Sequence, residues 1–135
     1  MPSVLLVDPE PGVIVTLRMI LEQDGYQVST ATSYAAAAAL LQSEIWDILI
    51  TELDLEAGAL GLLLASEAKS LEYHPAVFVY VSYPDVERLR AALALRVDYC
   101  GFKPLDVEEI RNVVRLLVAR HLAGRRHGVR ASRQR

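Results

Sequence analysis

The chain has 135 residues, 53% of them hydrophobic, and a formal net charge of −3. That length fits one domain with a core of its own, and the composition excludes a disordered polymer. A single cysteine excludes an internal disulfide, and no apolar run reaches the ~18 residues of a membrane span. Only Met1-Pro2-Ser3 precedes the first apolar run, so no signal peptide, no membrane contact and a cytoplasmic home are expected.

The charge is unevenly placed. Residues 1–109 hold all 17 acids and sum to −11, whereas residues 110–135 hold eight bases and no acid. An acidic body with a basic end is the pattern of an interaction tail.

Val4 to Asp8 is a short continuous apolar run that predicts an inner parallel strand. Pro9 and Pro11 stop it and suit a helix start near Glu10 to Gly12. Ile14, Leu17, Ile20 and Leu21 keep helical spacing up to Asp24-Gly25, where glycine suits the left-handed position after a helix. Tyr26 to Thr30 predicts a second strand. Ser33 then caps a helix built on the alanine run 35–39.

Asp47 to Thr51 predicts the central strand, and 53–61 a loop carrying Gly58 and Gly61. A third helix follows from Leu62 to Lys69, a strand from Ala76 to Ser82, and a fourth helix from Pro84 to about Leu95. The short run Cys100 to Phe102 predicts the last strand and leads into Lys103-Pro104. Asp106 caps the last helix, with Ile110, Val113, Val114, Leu117 and Val118 as its buried stripe. From Gly124 the chain loses periodicity, so residues 1–122 are expected to form the domain and 123–135 a basic, disordered tail or linker.

Five strands alternating with five helices predict a three-layer α/β/α domain, flavodoxin-like, with a five-stranded parallel sheet in the order 2-1-3-4-5. Ligands of such sheets sit beyond the carboxyl ends of the strands. Asp8, Glu52, Ser82 and Lys103 all fall at or just past strand ends, so one cleft is expected to gather them. Any one of them alone reads as a polar strand end. The three histidines, His74, His121 and His127, lack metal-ligand spacing and are expected at the surface. Cys100 reads as a small buried hydrophobe.

Those residues, in that order and spacing, resemble a response-regulator receiver domain of two-component signalling over about residues 3–120. The matching features are Val-Leu-Leu-Val-Asp-Pro-Glu-Pro at 4–11, Gly25-Tyr26, Trp-Asp-Ile-Leu-Ile-Thr-Glu at 46–52, Ser82 and Lys103-Pro104. The resemblance implies that the residue at the end of the third strand accepts a phosphoryl group, and that an acidic pair after the first strand holds Mg²⁺. Here the acceptor position is Glu52 rather than aspartate, and the pair is Asp8-Pro9. The aromatic position three residues before the lysine is Cys100, with Tyr99 and Tyr83 as substitutes. Tyr83 also reads as a roof over the cleft, and Glu56 stands where the family has a loop proline.

The expectation is an atypical receiver, a pseudo-receiver with no enzymatic role. Glu52 acts in it as a partial mimic of the phosphorylated state, and only a weak residual Mg²⁺ site at Asp8 and Glu52 is left. A phosphoryl group brings about −1.5 to −2 charge and three acceptor oxygens, and glutamate brings less. One alternative keeps phosphorylation, at Glu52 or at Asp54 as a shifted acceptor, within a phosphorelay. Another is contact with nucleic acid, or with an effector domain, through Arg125, Arg126 and Arg130. The resemblance also implies a protein partner, or a second copy of the chain, on the face formed by the fourth helix, fifth strand and fifth helix. Arg88, Arg90 and Arg96 give that face a basic character, with Arg111 and Arg115 as additions.

Overall fold

The computed structural model describes residues 1–83 and 85–133, with Ala57 and 126–133 described by their backbone alone. Its elements are β1 (Ser3–Val7), α1 (Pro11–Gln23), β2 (Gln27–Ala31), α2 (Tyr34–Ser43), β3 (Ile48–Glu52), a 3-10 turn (Leu55–Ala57), α3 (Leu60–Lys69), β4 (Ala76–Val81), α4 (Val86–Ala94), β5 (Tyr99–Phe102) and α5 (Val107–Arg133). The strands form one parallel sheet in the order β2-β1-β3-β4-β5, as the alternating pattern predicts.

The sheet separates two cores. Val4, Leu6, Ile48, Ile50, Phe78 and Tyr80 face α1 and α5, meeting Leu17, Leu21, Ile110 and Val114. Leu5, Val7, Leu49, Val77, Val79 and Val81 face the other side, where Leu41, Leu64, Ala65 and Ala92 cover them. β3 and β4 are buried along their whole lengths, which is why they read as unbroken apolar runs.

Local devices set the ends of the helices. Ser33 accepts from the Ala36 amide and Asp85 from the Arg88 amide, capping α2 and α4. Gly25 follows α1 with φ +93°, the left-handed conformation its sequence position predicts.

Two stretches differ from the sequence reading. α3 begins at Leu60, so Gly61 is a buried helical residue rather than part of a loop. α5 runs on to Arg133, through most of the 123–135 stretch expected as a tail or linker. Arginine and alanine are strong helix formers, and their weight there offsets the cost of about 1 kcal/mol that each of Gly124 and Gly128 adds to a helix.

Candidate functional site

In a parallel pair, residues in register point to the same face. Leu6, Ile50, Phe78 and Tyr99 form one such row across the sheet, on the α1/α5 side. Two residues further along each strand, the same face carries Asp8, Glu52, Tyr80 and Gly101, with Glu52 directly in register with Tyr80. Ser82 and Lys103 are one step of two further on. The pleat thus delivers the expected residues to one edge, and it delivers Tyr80 with them.

The four expected residues meet. The Lys103 ammonium lies 3.1 Å from Glu52 Oε2, 3.2 Å from Asp8 Oδ2 and 3.5 Å from Glu10 Oε1. The Ser82 hydroxyl donates to Glu52 Oε1, so both oxygens of Glu52 are engaged. Asp8 is wholly buried and Glu52 nearly so. Glu10 is largely exposed and sits at the rim. Burial by itself lowers the Lys103 pKa. The hydrogen bond to Glu52 and the charge of Asp8 outweigh that effect, and the ammonium is held above its ordinary value.

Sequence reading missed Tyr80, whose hydroxyl donates to Asp8 Oδ2 at 2.6 Å. The Glu10 amide donates to the other oxygen, Oδ1, at 2.7 Å. Tyr80 has no exposed surface, and Lys103 Nζ lies 5.6 Å from its ring centroid, within cation–π range. Burial first, then the charge of Asp8 and the hydrogen bond to it, push the phenol pKa well above 10. Tyr80 passed as one more apolar residue of the β4 run. Counting back by two from Ser82 is the signal that places it on the face of the cleft.

Other expected residues lie elsewhere. Asp54 turns toward α4, where its Oδ1 is 2.9 Å from Arg88 Nε, and its other oxygen has no hydrogen-bond partner among the described residues. Tyr83 is exposed and does not roof the cleft, and its carbonyl accepts from Arg88. The Tyr99 hydroxyl donates to Glu109 of α5, because residue 99 faces the α1/α5 core while Cys100 faces the opposite one. Cys100 is half-buried, and burial raises its thiol pKa. Glu56 has φ 55° and accepts from the Tyr34 amide.

At the opposite end of the sheet, Asp47 accepts from the Ser3 amide at 2.8 Å and meets Arg125 Nη1 at 3.2 Å. His121 packs 3.6 Å from Asp47, mostly buried rather than at the surface as expected, and burial lowers its pKa against the pull of Asp47. His74 is exposed, and His127 has no described side chain. The side chains of Arg126 and Arg130 likewise lie outside the described residues.

The Mg²⁺ that the resemblance implies does not fit these residues. Pro9 offers no side-chain oxygen, and both Asp8 oxygens already accept from Tyr80 and the Glu10 amide. Both Glu52 oxygens are taken by Ser82 and Lys103. Among the described residues, no group of three or more His, Cys, Asp and Glu side chains is arranged to hold a metal ion. Mg²⁺ demands near-octahedral oxygen ligation, which this donor set does not offer.

A doubly wound sheet with an acid, a hydroxyl and a lysine at its carboxyl edge defines a class of signalling domain. The response regulator receiver domain model matches residues 4–115, and the chain belongs to that family, as a receiver domain of a two-component system. Among its relatives, the alginate biosynthesis transcriptional regulatory protein AlgB of Pseudomonas aeruginosa is 33% identical over 109 residues. That match covers 80% of this chain but only 24% of AlgB, so the chain spans about a quarter of that relative. Sporulation initiation phosphotransferase F of Bacillus subtilis is 22% identical over 84% of this chain and 90% of its own length. In fold, the chain is similar to a CheY-like receiver domain protein from Methanospirillum hungatei JF-1, with a TM-score of 0.86. That likeness covers 92% of this chain and 98% of the other at 18% identity. No helix among the described residues is long and apolar enough to cross a membrane.

Proposed function

We propose that this receiver domain works as a phosphorylation-independent, cytoplasmic interaction module, with Glu52 supplying a fixed negative charge in place of a transferred phosphoryl group. The observation that carries this reading is the closed set of contacts on Glu52: Lys103 at 3.1 Å on one oxygen and the Ser82 hydroxyl on the other. A carboxylate held this way has no free oxygen aimed at a phosphodonor. The mimicry is partial, since one carboxylate replaces a dianion with three acceptor oxygens. The site is occupied by an ion pair, and the domain's role is to present a surface in one state.

That surface is the face of α4, β5 and α5, offered to a protein partner or a second copy of the chain. Leu93, Phe102 and Leu116 are exposed on these three elements. The face is less basic than its composition suggests, because Arg88 is drawn to Asp54 and Arg111 to Asp24. The other readings have less support. Asp54 is committed to Arg88 rather than to the cleft, and Arg125, the one tail arginine whose side chain is described, is paired with Asp47.

The test is incubation of the purified protein with acetyl phosphate and Mg²⁺, followed by intact-mass measurement. No added phosphoryl mass is expected. A phosphoryl adduct mapped to Glu52 or Asp54 rejects the proposal.

A further inference from the structure

Tyr80 is the residue of the cleft that neither the sequence reading nor the proposed role of Glu52 accounts for. A fully buried phenol at the carboxyl end of a parallel strand needs a partner for its hydroxyl. Tyr80 finds it in Asp8 Oδ2, the same oxygen that Lys103 approaches at 3.2 Å. Three donors from inside the protein then meet Asp8: the phenol and the ammonium on Oδ2, the Glu10 amide on Oδ1. The Glu10 amide is held in place by the start of α1, where the Val13 and Ile14 amides donate to the Glu10 carbonyl. Of these three donors, only the phenol is an uncharged side-chain group.

We propose that Tyr80 shuts divalent cations out of the cleft by holding the carboxylate of Asp8. The proposal rests on the phosphorylation-independent reading and deepens it by naming the residue that closes the site. A divalent ion entering here needs Asp8 oxygens as hard ligands, and Asp8 and Glu52 together carry two charges against one from Lys103. On charge alone the cleft attracts a cation. What opposes entry is the loss of a short hydroxyl–carboxylate bond in a buried place, where the phenol is left only its longer 3.3 Å contact with the Val7 carbonyl. Ser82 cannot serve this purpose, since its hydroxyl is turned to Glu52. Removing the Tyr80 hydroxyl leaves Asp8 Oδ2 with Lys103 as its one partner among the described residues and touches no charge of the site.

The experiment measures Mn²⁺ binding to the full chain by electron paramagnetic resonance, with paramagnetic broadening of NMR signals to locate the ion. Wild type is compared with Tyr80→Phe and with the double variant Tyr80→Phe/Asp8→Asn. Tyr80→Leu takes the place of Tyr80→Phe if that variant does not fold. The expected result is at least tenfold tighter Mn²⁺ binding by Tyr80→Phe than by wild type. Broadening is expected around Asp8, and the tighter binding is lost in the double variant. Equal binding by wild type and Tyr80→Phe overturns the proposal, and so does tighter binding that persists in the double variant. The two readings fail separately. A phosphoryl adduct on wild-type protein removes the phosphorylation-independent role, whereas equal Mn²⁺ binding without an adduct removes only the part assigned to Tyr80.

Discussion

A Cβ placed on Gly61 would lie 1.8 Å from the carbonyl oxygen of Glu52. The first turn of α3 is therefore pressed against the last peptide of β3, and only glycine permits the approach. The Gly61 amide donates to the Leu53 carbonyl at 3.2 Å, which fixes the turn after Glu52. Because the atom in the way is backbone, no side-chain rotation relieves the clash. Gly61→Ala is expected to lower stability by about 1–3 kcal/mol or more, the range for overpacking a rigid site. Urea unfolding measures the loss. An unchanged midpoint would mean that α3 shifts freely, and that Gly61 does not position Glu52.

Lys103 is the only cation described at the carboxyl edge within 4 Å of the two buried carboxylates. Lys103→Met keeps much of the side-chain volume and leaves Asp8 and Glu52 facing each other without a counter-charge. Removing one partner of a buried ion pair typically costs about 3–5 kcal/mol, chiefly through the stranded charge. A loss in that range is expected from urea unfolding near neutral pH. The companion substitution Glu52→Gln keeps the acceptor for Lys103 and removes one of the two negative charges, so its cost should be clearly smaller. If the two variants cost the same, the network is held by hydrogen bonds rather than by charge.

The architecture was legible because each buried strand announces itself by an apolar run and each helix by its spacing or cap. The meeting of Asp8, Glu52, Ser82 and Lys103 was legible as well, since a parallel sheet collects whatever follows its strands. Tyr80 was not, because an aromatic residue inside an apolar run looks like core until register shows which face it shares. Asp54 was open for a different reason: it follows the strand, where the pleat no longer dictates direction, and its partner Arg88 is far away in sequence. The continuation of α5 was hidden by two glycines that weaken a helix without ending it.

The contact of Asp54 with Arg88 ties the loop after β3 to the first turn of α4. Arg88 also reaches the Tyr83 carbonyl and lies 3.8 Å from Asp85, so one guanidinium spans the β4–α4 connection. This places a direct tether between the Glu52 end of the sheet and the proposed partner face, where Cys100 provides no aromatic ring. A double-mutant cycle with Asp54→Asn and Arg88→Ala should give a coupling of about 1 kcal/mol, the upper part of the range for partly exposed pairs. Hydrogen exchange in α4 should rise in either variant, while the amides of β3 stay protected. Exchange that rises equally in both elements would show general loosening instead of a tether.

Alkaline pH tests the buried end of the network most directly. The unfolded chain loses the proton of an ordinary tyrosine near pH 10 and that of lysine slightly higher, at about 10.4. In the folded protein the pKa values of Tyr80 and Lys103 are both raised, by different balances of burial, hydrogen bonding and charge. Between the unfolded and folded values, the native state therefore holds protons that the unfolded chain has released. Stability from these groups is fully present below about pH 10 and falls as pH rises. Each proton of difference steepens the fall by about 1.4 kcal/mol per pH unit. Tyr26, Tyr34 and Tyr99 are also raised and contribute to the same limb, so wild type alone does not isolate Tyr80. Tyr80→Phe does: its urea midpoint should fall less steeply above pH 10, by about one proton's worth of slope. Absorbance at the phenolate band should show one fewer tyrosine ionising together with unfolding. Parallel limbs in the two proteins would mean that the Tyr80 hydroxyl ionises as it does in water, which is incompatible with its bond to Asp8.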